Sequence, residues 1–285
     1  YVHPYENNRS SLMRTPKGVF SGGGQTKALM PTINAEMENN VQQIKTQLKA
    51  SQIYNLVNRM KKDIQEVSEF DLTDYDEFDR HCAMIEQIGS AYMEREFREF
   101  VVDEYNRDVI RFLVYYFNNC KLAENIFPGK DYKVHKNLMI LGVPGTGKTL
   151  LMQVFSEYLK LTNNPNMFFN LSVTQMMNYY KINGHIDRYT YNEEGGKGID
   201  GMPFNICIND IGLETENQKS YGTSLDSVID EFLYARYEIY QSHFKKYHIT
   251  SNLDLDEFKE RFGDRLIDRF KSFNVIPLLG GSRRK

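Results

Sequence analysis

The stretch Gly142-Val143-Pro144-Gly145-Thr146-Gly147-Lys148-Thr149 has the spacing G-x-x-x-x-G-K-[ST], that of a phosphate-binding loop between a strand and a helix. Each residue type has a task. Gly142, Gly145 and Gly147 let the backbone bend until its N–H groups face phosphate oxygens. The N-terminus of the following helix adds the positive end of a dipole. Lys148 is placed to reach the β- and γ-phosphates, and the Thr149 hydroxyl to reach Mg²⁺. The candidate nucleotide-binding set is Gly142, Pro144, Gly145, Thr146, Gly147, Lys148, Thr149 and Leu150. A glycine-rich turn that happens to precede a helix is the alternative.

A loop of this kind needs an acidic residue at the end of a neighbouring strand to hold Mg²⁺, and a second carboxylate to activate the attacking water. Ile206-Cys207-Ile208-Asn209-Asp210-Ile211-Gly212 has that form, an apolar run ending in a polar pair. The metal candidates are Thr149, Asn209 and Asp210. Asn209 is expected on the metal side, where an amide oxygen brings no negative charge, and Asp210 at the water-activating position with Glu214 in reserve. The next apolar run ends in Ile249-Thr250-Ser251-Asn252, whose Asn252 amide is placed to reach a γ-phosphate or its water. In Gly263-Asp264-Arg265-Leu266-Ile267-Asp268-Arg269-Phe270 the two arginines are four apart and share one helix face. They either pair with Asp264, Asp268 or Glu260, or project into a neighbouring subunit's nucleotide.

The elements around these residues alternate. Apolar runs at 137–142, 167–171, 204–209, 247–251 and 274–279 read as strands, and helix spacing covers 148–161, 173–182, 223–246, 255–261 and 264–272. Alternation of this kind predicts an α/β fold, a parallel sheet between helices. The polar, glycine-rich stretch 183–203 reads as a long functional or mobile loop. Before the sheet, helix spacing runs over 34–67 and again over 76–119, with Thr73 or Asp74 as the cap. The second region carries an aromatic stripe that reads as core, with an adenine-facing wall near Tyr116 as the alternative. The expected organisation is an extended arm at 1–33, a helical N-terminal, partner-binding domain at 34–127, and a nucleotide-binding domain at 128–285.

Composition bounds the partners. The chain has 285 residues and a formal net charge of -3, so any nucleic-acid contact needs a local patch and not a global basic field. No apolar run is long enough to span a bilayer and no secretory leader opens the chain, so a cytoplasmic protein is expected. Cys82, Cys120 and Cys207 lack metal-ligand spacing and read as buried free thiols.

Taken together, GVPGTGKT, ICINDIG, ITSN and GDRLIDRF, in that order over about 110 to 285, resemble the AAA+ ATPases of the DnaC/IstB type, which are bacterial helicase loaders and transposition helpers. The resemblance implies a three-layer P-loop sandwich with a five-stranded parallel sheet and little or no C-terminal lid. It implies ATP and Mg²⁺ as cofactors, hydrolysis as the activity, and ATP held between protomers of a homo-oligomer. The family's sensor asparagine falls on Asn252, its arginine finger on Arg269 with Arg265 accessory, and its terminal nucleotide-contacting arginine on Arg283. Implied partners are a replicative helicase and single-stranded DNA, the latter touched by Tyr179, Tyr180, Lys181 and Arg188. A transposition helper acting on duplex DNA with a transposase, and a slowly hydrolysing nucleotide-gated scaffold, are the alternatives.

Overall fold

A computed structural model describes residues 55, 72–190, 203–212, 219–220 and 223–284. The chain divides into two compact units, Tyr1–Gln65 and Glu66–Lys285. Asn55 alone is described in the first, so the elements below all belong to the second. The expected arm at 1–33, the helical reading of 34–67 apart from Asn55, most of the 183–203 loop and Glu214 lie outside the described residues.

Helix α1 (Tyr75–Glu94) starts where the Asp74 side chain accepts from the Asp76 amide, with Asp76 and Glu77 in its first turn. It buries Phe78, His81, Ile85 and Met93 along one stripe. The helical region expected over 76–119 is broken. Asn106 donates to Val101 O at 2.8 Å and accepts from the Asp103 amide at 2.8 Å. Asp103 in turn accepts from the Tyr105 amide. These side-chain bonds satisfy the backbone outside a helix. Helix α2 (Arg107–Phe117) then follows, with Val109, Ile110 and every residue from Phe112 to Phe117 buried. Residues 75–117, expected in a separate helical domain, share one core with the sheet: Phe78, Ile85, Phe112 and Tyr116 pack in the same cluster as Leu138, Ile140 and Phe155.

The α/β expectation is met by five parallel strands, β1 (Asn137–Leu141), β2 (Phe168–Ser172), β3 (Asn205–Ile211), β4 (Tyr247–Ser251) and β5 (Phe273–Pro277). Their order across the sheet is β2-β3-β4-β1-β5. All five residues of β1 and of β4 are buried, as parallel strands covered on both faces require. Side chains of β1 alternate between two cores. Leu138 and Ile140 join α1, α2 and α3 (Lys148–Leu161), while Met139 and Leu141 join α4 (Val173–Asn183), α5 (Leu225–His243), α6 (Leu255–Arg261) and α7 (Asp264–Arg269). The result is a helix–sheet–helix sandwich.

Register then decides where the site lies. Leu141 aligns with Ser251 on one side and Pro277 on the other, so β1, β4 and β5 end level. From β1 the chain crosses to β2 at the far edge of the sheet, and in open α/β sheets ligands bind beyond the carboxyl ends of the strands. Among the described residues, no helix is long and apolar enough to cross a membrane. Cys82, Cys120 and Cys207 are free thiols.

Candidate nucleotide-binding site

The loop leaving β1 enters α3 through Gly147, at φ 95°, and passes Gly145 at φ 89°. Both lie in the left-handed region, which side chains disfavour. A methyl group on Gly145 would also meet Ser282 Oγ at 2.4 Å. Lys148, the first residue of α3, is only 3% exposed. Its Nζ donates to Gly142 O at 2.6 Å, Val143 O at 3.0 Å and Asn252 Oδ1 at 2.8 Å, which occupies all three of its protons. Burial lowers its pKa from the ordinary lysine value, opposed by the nearby Asp210 carboxylate. The Thr149 hydroxyl donates to Asp210 Oδ1 at 3.1 Å. Thr146 is buried and caps the turn through Val143 O, Leu150 packs on the core, and Pro144 is exposed. Lys148, Thr149, Asp210 and Asn252, from three strand ends, are thus brought together.

Asn209 does not join them. Its Nδ2 donates to Asn170 Oδ1 at 3.2 Å and Leu171 O at 3.5 Å on β2, and its Oδ1 accepts from Thr250 at 3.2 Å. The reason is a bulge in β3 between Ile208 and Ile211, with Asp210 at φ 65°. The bulge turns the Asp210 side chain onto Thr149, so the side chain that faces the Thr149 hydroxyl is that of Asp210 and not that of Asn209. Ile211, which follows it, is buried in the core. A hydroxyl facing a carboxylate is a hard oxygen donor set that suits Mg²⁺. Among the described residues no cluster of three or more His, Cys, Asp or Glu could hold a metal, so phosphate oxygens would have to complete its shell.

Arg265 and Arg269 make no contact with this group among the described residues. The Arg269 guanidinium sits 4.4 Å from the Tyr234 ring centre and 5.0 Å from that of Tyr237, and donates to Arg265 O. Asp268 pairs with Lys271 and Arg261 with Asp230, so the carboxylate pairing weighed for the two arginines does not occur among the described residues. Arg265 is exposed.

No protein-family model matches the chain, and no curated protein matches it. Solved structures do. The chain is similar to the DnaC helicase loader. That match has 14% identity and a TM-score of 0.44, over 63% of this chain and 93% of the other. It is also similar to AMPPCP-bound DnaA from Aquifex aeolicus, at 17% identity and a TM-score of 0.42, over 63% of this chain and 48% of DnaA. Domain III of the Thermotoga maritima replication initiation protein DnaA matches at 21% identity and a TM-score of 0.42, over 63% of this chain and 65% of the other.

Arg283 reaches the loop with its backbone. Its amide donates to Gly145 O at 2.9 Å, while its guanidinium grips Asp103 at 2.9 and 2.8 Å and the Arg98 guanidinium donates to its carbonyl. The Arg283 pairing holds the Asp103 carboxyl below the usual range. Segment 98–106 is therefore tied to the loop through Arg283, a link that nothing in its residue types announced. Of the DNA candidates, Tyr180 is 6% exposed and packs in the core with Met176 and Ile186, so it offers no face for a base. Tyr179 is half-buried against His185 and Tyr189, with Arg188 over its ring at 6.0 Å. Lys181 and Arg188 are exposed. Tyr116 is fully buried, its hydroxyl donating to Lys136 O at 2.6 Å, and it forms no wall for a base.

Proposed function

We propose that this chain is an AAA+ ATPase of the helicase-loader kind, which binds ATP with Mg²⁺ and assembles on a replicative helicase or on single-stranded DNA during replication in a bacterial, or phage-infected, cytoplasm. The observation that carries the reading is the convergence of two side-chain pairs across three strand ends: Lys148 on Asn252 and Thr149 on Asp210. Lys148 would exchange the carbonyls of Gly142 and Val143 for phosphate oxygens, with Asn252 holding it in line. Thr149 and Asp210 would hold Mg²⁺, whose charge offsets that of the phosphates. Arg269 of one protomer would complete the site of the next, with Arg265 accessory, and Arg283 would leave Asp103 for the nucleotide. Lys181, Arg188 and the edge of Tyr179 would meet the DNA strand.

Slow hydrolysis is the second reading, and one observation favours it. Asp210 is the one carboxylate hydrogen-bonded to the loop among the described residues, and buried Ile211 follows it. Co-purification with the cognate replicative helicase tests the loader reading. A complex that forms with ATP supports it; no complex, with or without ATP, rejects it.

A further inference from the structure

Asn209 does not reach the metal side, yet its surroundings are fully organised. Resting on the nucleotide reading above, we propose that Asn209 and Thr250 form a buried polar clamp that positions Asp210 as the carboxylate facing Thr149. Asparagine at this place is then required, and is not a weakened ligand.

A non-glycine residue at φ 65° persists only where its surroundings hold it. The hold on Asp210 is specific. Its amide donates to Thr250 Oγ1 at 3.0 Å, and the same hydroxyl donates to Asn209 Oδ1 at 3.2 Å. Thr250 and Asn209 are both buried. Asn209 passes the chain of bonds to Asn170 on β2, and Asn170 Nδ2 donates to Met152 O at 3.3 Å. Met152 lies in α3, one turn beyond Thr149. A continuous line of bonds thus runs from β4 through β3 and β2 to the helix that presents the Thr149 hydroxyl. It fixes both ends of the Thr149–Asp210 contact.

The chemistry selects the amide. Asn209 donates to two acceptors, Asn170 Oδ1 and Leu171 O, while accepting from Thr250. An ionised aspartate there has no proton to donate. One of its oxygens would keep the Thr250 and Cys207 donors, but the other would face two acceptor oxygens as a buried charge with no cation beside it among the described residues. Asn209→Asp is therefore expected to lower the melting temperature without strengthening the response to Mg²⁺.

The test is the affinity of a non-hydrolysable ATP analogue with and without Mg²⁺, measured by calorimetry. Asp210→Asn is expected to abolish the gain in affinity from Mg²⁺. Thr250→Val is expected to cut that gain about 10- to 100-fold, the usual cost of losing a group that orients a ligand. Its metal-free affinity stays unchanged, and Thr250→Ser, which keeps the hydroxyl, retains the gain. Asn170→Ala, at the half-buried end of the line, loosens the clamp without disturbing the core should Thr250→Val unfold; it is expected to show a smaller loss of the same kind. An equal Mg²⁺ gain in the unsubstituted protein, Thr250→Val and Asn170→Ala overturns the clamp while leaving the nucleotide reading intact. A larger gain in Asn209→Asp overturns it equally. Absence of analogue binding by the unsubstituted protein overturns the nucleotide reading, and this inference with it.

Discussion

If Arg269 serves a neighbour's nucleotide, its present contacts set what the transfer costs. The guanidinium lies over two tyrosine rings, at 4.4 and 5.0 Å from their centres. Half-exposed contacts of this kind contribute about 0.5–1 kcal/mol each, so leaving both costs about 1–2 kcal/mol. An arginine supplied in trans raises phosphoryl-transfer rates by about 10³–10⁵, or about 4–7 kcal/mol of barrier. Moving onto the transition state therefore wins. Arg269→Ala is expected to bind nucleotide normally and to lose hydrolysis. Lys148→Ala is expected to lose binding while keeping a competent arginine. Mixing the two inactive proteins then regenerates working interfaces, those with an intact loop on one side and an intact arginine on the other. In a random head-to-tail 1:1 assembly this is about a quarter of all interfaces. Steady-state phosphate release from the mixture should recover about a quarter of the unsubstituted rate. Mixed oligomers with no recovery would refute action in trans, and an unchanged rate in Arg269→Ala alone would refute the role altogether.

Other outcomes follow from particular contacts. The buried Tyr158 hydroxyl accepts from Asn118 at 2.8 Å and meets His81 Nδ1 at 2.6 Å. Tyr158→Phe removes one hydrogen bond from each partner and should cost about 1–3 kcal/mol in urea unfolding. Burial pushes the Lys246 ammonium down to about 7, against about 10.4 in the unfolded chain. Between these values the unfolded state holds the proton more tightly, so stability rises with pH from about 7 to about 10. Lys246→Met should flatten that rise in melting curves taken across the range. For single-stranded DNA, the double substitution Lys181→Ala with Arg188→Ala should weaken binding and reduce its salt dependence by about 1.4 in the log–log slope. Tyr180→Ala should instead lower stability by about 2–4 kcal/mol through a core cavity.

Much of the fold was legible in the residues because it is local. The apolar run NLMIL reads as a strand covered on both faces, and it is one. The loop spacing, the cap at Asp74 and the helix periods of 148–161 and 255–261 are patterns of a few residues, and the structure keeps them. What escaped depends on distant or irregular geometry. Alternation along a strand assigns faces by counting in twos, and the bulge at Asp210 breaks the count at the pair where it matters. The tyrosines that hold Arg269 lie on α5, more than thirty residues earlier in the chain. The break at 95–106 comes from Asn106 and Asp103 bonding to backbone, which helix periodicity does not register. Tyr179 and Tyr180 are adjacent in sequence but about 100° apart around a helix, and only one of them reaches the surface.

Every functional role proposed for this chain depends on the loop from Gly142 to Thr149 holding a nucleoside triphosphate. The most direct test is a calorimetric titration of ATP with Mg²⁺ into the unsubstituted protein and into Lys148→Ala. Saturable binding to the first and none to the second is the expected result. Tight binding retained by Lys148→Ala would contradict it.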